Sequence, residues 1–164
     1  MVQCYSIILW KKAEKNDKSF NQIAEDAFSV LEVFKNFSSE FRPNYLSAAS
    51  KKEVREFDWD YNSFYSLLKS GVNKEGKEIF KDLGYSVSFF SSKEDEKSCG
   101  INLHVGAKNE RLLNTLIVDL PISFDMCKVE NAKIIYDLFS GLVNVFRPFW
   151  GCVSDNILSK RYRP

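Results

Sequence analysis

The chain has 164 residues, a length that fits one domain built on one core. Apolar residues make up 45% of it and aromatic residues 15%, which excludes a disordered chain. Its 23 Lys and Arg balance 22 Asp and Glu to a formal charge of +1, so no global field draws it to nucleic acid or to an anionic membrane.

In chain order, "CYSIILWKK" places Tyr5, Ile7 and Leu9 on one side and Cys4, Ser6, Ile8 and Trp10 on the other. Its β-branched and aromatic content predicts a strand buried on both faces. Asn16 or Asp17 is expected to cap the next segment, where Phe20, Ile23, Ala24, Ala27, Val30, Leu31 and Phe34 recur at helical spacing. Residues 37–60 show neither period and read as a long loop; a structureless stretch of that length implies a task, here a partner-binding segment. "YNSFYSLLKSG" predicts a helix stopped by Gly71, and "NKEGKEIFKDLG" a second short helix closing at Gly84.

"YSVSFFSS", "CGINLHVGA" and "LLNTLIVDLP" then read as three strands joined by hairpin-length polar loops, an antiparallel meander. A last helix is predicted over 129–146, with Ala132, Ile135, Tyr136, Phe139, Leu142, Val143 and Phe146 on its apolar stripe and Pro148 enforcing its end. "WGCVS" reads as a short strand returning to the sheet edge. The expectation is a single α+β domain over 1–164, an antiparallel sheet of about four to five strands with helices packed on it.

Chemistry has few carriers. No apolar run approaches the ~20 residues of a membrane span, and "MVQCYSIILWKK" lacks the basic start and cleavage site of a signal peptide, so a cytoplasmic chain with no membrane partner is expected. Cys4, Cys99, Cys127 and Cys152 show no zinc or redox spacing and are expected to be free and buried, with no metal or cofactor. His104, the single histidine, alternates with Ile101, Leu103 and Val105, which puts it beside Asn102 on the less apolar face, and reads as a structural or surface residue. Cys152 as a nucleophile needs a base, which His104 supplies only if the fold joins them. Phosphate-binding glycine loops, serine elbows and dinucleotide fingerprints are absent from the sequence, and no catalytic residue is assigned.

"KKEVREFDWDYNSFY" interleaves Glu53, Glu56, Asp58 and Asp60 with Phe57, Trp59 and Tyr61. Two readings stand: rigid anchors with steering charge for a basic partner, or aromatics folded into the core beneath solvated carboxylates. "KEDEK", with Glu94, Asp95 and Glu96, reads as a charged hairpin tip. The tail cluster of Lys160, Arg161 and Arg163 is too short to point to nucleic acid.

"GYSVSFFSSKEDEKSCGINLHVGAKNERLLNTLIVDLP" and "FRPFWGCVSDN" resemble the bacterial polymorphic-toxin immunity proteins, most closely immunity protein family 52. The likeness spans residues 84–156: an aromatic strand ending in serines, a Ser/Cys-flanked strand closing on Gly, a Val-Asp-Leu-Pro strand, and the Trp150–Gly151 segment behind the last helix. The resemblance implies a small cytosolic protein that neutralises a cognate toxin by stoichiometric binding, without catalysis. On that reading the partner surface takes in the segment from Glu56 through Tyr61, the tip at Glu94 to Glu96, and Trp150, which also plugs the core, with Cys152 small and buried behind it. The alternatives are a hydrolase or transferase using Cys152 and His104, and a small-molecule or peptide-binding module with a deep apolar pocket.

Overall fold

Two periods, two residues along the strands and about 3.6 along the helices, sort the apolar side chains onto a single shared interior. The computed structural model describes residues 4–13, 18–47 and 54–155. In chain order the elements are β1 (Tyr5–Lys12), α1 (Phe20–Lys35), β2 (Tyr45–Leu46), β3 (Arg55–Glu56), α2 (Tyr61–Ser70), β4 (Lys74–Glu75), β5 (Glu78–Ile79), β6 (Tyr85–Phe90), β7 (Gly100–Val105), β8 (Leu113–Asp119), α3 (Val129–Phe146) and β9 (Trp150–Asp155).

Seven strands form one antiparallel sheet in the order β3-β2-β6-β7-β8-β1-β9. This exceeds the four to five strands expected, and the additional pair, β2 and β3, lies inside the stretch read as a loop. Each is two residues long, too short for alternation to register. Tertiary contacts hold β2 in place: the Asn44 N–H donates to the Phe90 carbonyl at 3.1 Å, the Ser47 N–H to Ser88 at 3.0 Å, and the Tyr45 ring stacks on Phe90 at 5.3 Å.

The α1 cap is Ser19, which accepts from the Gln22 N–H while the Gln22 side chain accepts from the Ser19 N–H, a reciprocal capping box. Asn16 and Asp17, expected in that role, lie outside the described residues, as do Glu53 and the basic tail. Asp60 caps α2 through the Ser63 N–H, and Gly71 ends it. The expected second short helix is instead the β4–β5 hairpin followed by a 3-10 turn at Lys81–Leu83. Gly76, at φ 58°, opens a two-residue turn, and Asn73 ties both ends by accepting the Phe80 N–H and donating its side-chain amide to Leu83 and Gly84. With Pro148 ahead, α3 ends on Arg147, at φ 54° and ψ 57°.

All three helices cover one sheet face, α2 over β6, α1 over β7 and α3 over β1, with α1 touching both other helices. Ile7, Leu9, Ile101, Leu103, Leu116 and Val118 supply the sheet side of the core, and Leu31, Phe34, Phe64, Leu68, Leu138 and Leu142 the helix side. β1 is therefore fully buried on one face only; Ile8 and Trp10 on the other are half-buried, because nothing among the described residues covers them.

Candidate functional site

The uncovered face is a grid set by strand register. One row runs Ser88, Asn102, Ile117, Ile8, Cys152, and the next Ser86, His104, Thr115, Trp10, Trp150. The β6–β7 half is polar and self-satisfied: Ser88 donates to Asn102 at 2.7 Å, and the Ser86 hydroxyl lies 2.9 Å from His104 Nδ1. Toward β1 and β9 the face becomes apolar, ending in a tilted Trp10–Trp150 pair with ring centroids 4.4 Å apart. Trp150 is 50% exposed, so it does not plug the core as expected. It stands on the open face because its strand partner is Trp10, whereas the interior beside it is filled by Leu9 against Gly151. The signal for this pair was present in the sequence, since both tryptophans occupy open-face parity on adjacent strands.

Cys152 and His104 are not brought together. β8 and β1 separate their strands, three inter-strand steps or about 14 Å. Burial lowers the His104 pKa, against an opposing backbone hydrogen bond at Leu83, and burial pushes the Cys152 thiol up. No thiolate-forming cation is supplied to Cys152 by this histidine. Burial also raises the Cys99 thiol well above its usual range. Of the four cysteines expected to be buried, only Cys99 is; Cys4 and Cys152 are half-buried and Cys127 is exposed.

The acidic and aromatic segment divides by side chain. Phe57 is buried, with its ring 4.8 Å from Phe89, and Tyr61 meets Phe28 edge to face at 5.5 Å. Trp59 is half-buried under Arg42 and Lys35 at 5.2 and 5.9 Å from its ring centroid. Its Nε1 and the Nε of Arg42 are buried donors with no acceptor among the described residues. Asp60 caps α2, Asp58 accepts from the Ser63 hydroxyl at 3.2 Å, and Glu56 is exposed on the edge strand β3.

At the hairpin tip, Glu94, Asp95 and Glu96 are exposed, and Glu94 pairs with Lys97 at 2.7 Å. The Glu96 carbonyl accepts from the Ser123 N–H at 3.0 Å, which tethers the tip. Because β2 joins Phe90 to Glu56 in a single register row, the tip and Glu56 share one end of the sheet. Trp150 lies at the opposite corner, six strand steps or roughly 29 Å across the sheet from the strand of Glu56 and four residues along it. The structure thus gathers Glu56, Asp58 and Glu94 to Glu96 at one end and leaves Trp150 at another.

A cleft of about 520 Å³ opens between α1, the end of α3 and the β7–β8 side of the sheet. Ile23, Ala27, Val30 and Phe146 form apolar wall, while Lys11, Lys18, Lys108 and Arg147 face a single acid, Asp26, which pairs with Lys18 at 2.7 Å. It contains neither His104 nor any cysteine. Among the described residues no three His, Cys, Asp or Glu side chains converge as a metal site, and no helix is long and apolar enough to cross a membrane.

No protein-family model matches the chain, that of immunity protein family 52 included, and no curated protein is similar to it at a significant level. Among solved structures, the chain is similar in fold to the Pseudomonas aeruginosa T6SS protein PA0821, with a TM-score of 0.51 and 12% identity. The likeness covers 93% of this chain but 40% of that one, so what the two share is a fold that makes up less than half of the larger protein.

Proposed function

We propose that the chain is a cytoplasmic immunity protein that binds a cognate bacterial toxin stoichiometrically and performs no catalysis. The observation that carries this reading is the acidic end of the sheet, where Glu56, Asp58, Glu94, Asp95 and Glu96 stand exposed on a rigid base. Phe57, Trp59 and Tyr61 serve it from beneath, locking the segment that carries the carboxylates, and Asp60 holds the start of α2. Five carboxylates there, set against Lys93, Lys97 and Arg55, leave an acidic excess that steers a basic partner surface. The fold likeness to a T6SS protein supports the same setting.

The test is co-expression with the products of adjacent genes, scoring growth rescue and isolating a one-to-one complex. With the toxin in hand, combined E94K, D95K, E96K and D58K substitutions should slow association about tenfold or more and flatten its salt dependence. An unchanged association rate discards this surface, and the absence of any toxic neighbour or complex discards the immunity reading. The cleft favours a second reading, a module for small anionic molecules. Calorimetry with dicarboxylates and mononucleotides tests it, and flat traces reject it.

A further inference from the structure

Six of the seven glycines answer to a need of the fold: each has a positive φ, or an atom within 3.1 Å of where a Cβ would stand. Gly100 has neither. A Cβ there would meet Asp119 Cβ and Oδ2, both at the ordinary contact distance of 3.5 Å, and its φ is not positive. Nor does it mark a bulge, since Phe90, Gly100 and Asp119 pair in unbroken register across β6, β7 and β8. A strand position with ordinary backbone and room to spare gains stability from a side chain. What the glycine leaves instead is a gap one side chain wide.

Register places that gap on the open face. One row runs Glu56, Tyr45, Phe90, Gly100, Asp119 and Ser6, and residues opposite one another share a face. The next residues along, Ile101 and Val118, are buried, so Gly100 and Asp119 face outward. On one side of the gap the Tyr45 and Phe90 rings stack at 5.3 Å and 26°. On the other stands the exposed Asp119 carboxylate. Its Oδ1 accepts from the Ser6 hydroxyl at 2.7 Å, while Oδ2, the oxygen beside Gly100, has only a 3.5 Å contact from the Asn102 side-chain amide. These neutral donors hold the carboxylate in place without cancelling its charge, and among the described residues no cation pairs with it. Gly100 follows the Glu94 to Glu96 tip closely in the chain, so the gap opens at the acidic end of the sheet.

We infer that the gap over Gly100 is the seat of an arginine side chain of a protein partner, its guanidinium lying between the Phe90 ring and Asp119 Oδ2. The inference takes a basic partner from the immunity reading and adds the group by which that partner is gripped. Charge and reach select the occupant. A cation within about 6 Å of an aromatic centroid is attracted by the ring, and a guanidinium combines that attraction with paired N–H donors for a carboxylate. At a strand spacing of about 4.8 Å, a group above Gly100 is within reach of both neighbours at once. The chain's own Lys93, with Nζ 4.9 Å from the Tyr45 centroid, is an example of an ammonium held by this ring stack. Tyr45 is two strands, or about 10 Å, from Gly100, so Lys93 leaves the gap open, and over that distance salt screens its repulsion of a second cation.

A titration without toxin tests this apart from the immunity reading. The probe is a blocked Gly-Arg-Gly peptide, followed through the amide resonances of the nitrogen-15-labelled chain, with its citrulline counterpart as the neutral control. The Gly100 and Asp119 amides should shift and saturate at about millimolar peptide, and the citrulline peptide should bind about tenfold or more weakly. D119N should weaken the arginine peptide about tenfold. Gly100→Val should abolish the shift at Asp119 while the urea midpoint stays level or rises, a pairing that a glycine needed only for folding would not give. Absent shifts, shifts that survive both substitutions, or equal binding of the citrulline peptide overturn the proposal. Binding that emerges only when residues 156–164 are removed makes the chain's own basic tail the occupant and overturns it as a partner site. In a toxin complex, Gly100→Val and D119N should each speed dissociation about tenfold. A complex indifferent to both keeps the immunity reading and discards this seat, whereas peptide binding with no toxin to be found keeps the seat and discards that reading.

Discussion

On its helix-covered side the sheet presents Ile7, Leu9, Ile101, Leu103, Leu116 and Val118, all excluded from solvent, while the residues between them on the open side are Ser6, Ile8, Asn102, His104, Thr115 and Ile117, half-buried or exposed. Both sets sit on the same strands and share the same backbone hydrogen bonds. The difference lies only in what packs above them. Cohesion is therefore concentrated on one face, and the other is left to carry polar ladders at β6–β7 and aromatic surface at β1–β9. A chain arranged in this way tolerates change on its open face.

The largest expected effect tests that division directly. Leu116→Ala, at a fully buried position, should cost about 2–5 kcal/mol, whereas Thr115→Ala, one residue away on the open face, should stay within ~0.5 kcal/mol. Urea denaturation of the two variants gives the comparison. Similar losses would mean that the open face is covered in solution.

A smaller effect is expected where the alternation begins. Gly84 enters β6 at φ 83°, and a Cβ there would meet the Val105 carbonyl oxygen at 2.5 Å. Gly84→Ala should cost about 1–3 kcal/mol through backbone strain and displacement of β7. An unchanged urea midpoint would show that the β6 entry adapts, and that the inner row is not held as tightly as its burial implies.

Much of this architecture was legible in the sequence, and the failures have physical causes. The meander β6–β8, the helix α3 and the return strand β9 are long or sharply punctuated, so period and Pro148 place them. β2 and β3 were not legible, because two residues carry no alternation and their pairing comes from Phe90 and Asn44 across the fold. β4–β5 was misread since Lys, Glu, Ile and Phe suit a helix, and Gly76 decided for a turn. The acidic surface inherits the same limit: Glu56 and the 94–96 tip become neighbours only through β2. Tyr136 matches the helical period of the core yet lies outside it, since period reports amphipathic width and not what fills the space opposite.

The smallest expected effect belongs to the open face itself. His104 is held below its ordinary pKa chiefly by burial between Ser86 and Thr115, so in acid the unfolded chain takes a proton that the folded chain refuses. Stability should then be flat above the usual histidine value of about 6.5, fall as the pH drops from there to the lower folded pKa, and level off beneath it. His104→Gln keeps a polar partner for Ser86 and removes the titration, so the difference between wild-type and variant urea midpoints across a pH series isolates this one group. A wild type that gains stability relative to the variant on acidification would require a carboxylate near His104 that the grid does not place there, Asp119 being a strand away and engaged with Ser6 at 2.7 Å. The predicted loss instead makes the polar half of the open face a surface that favours neutral histidine, and so a surface able to meet a basic partner without adding a positive charge of its own.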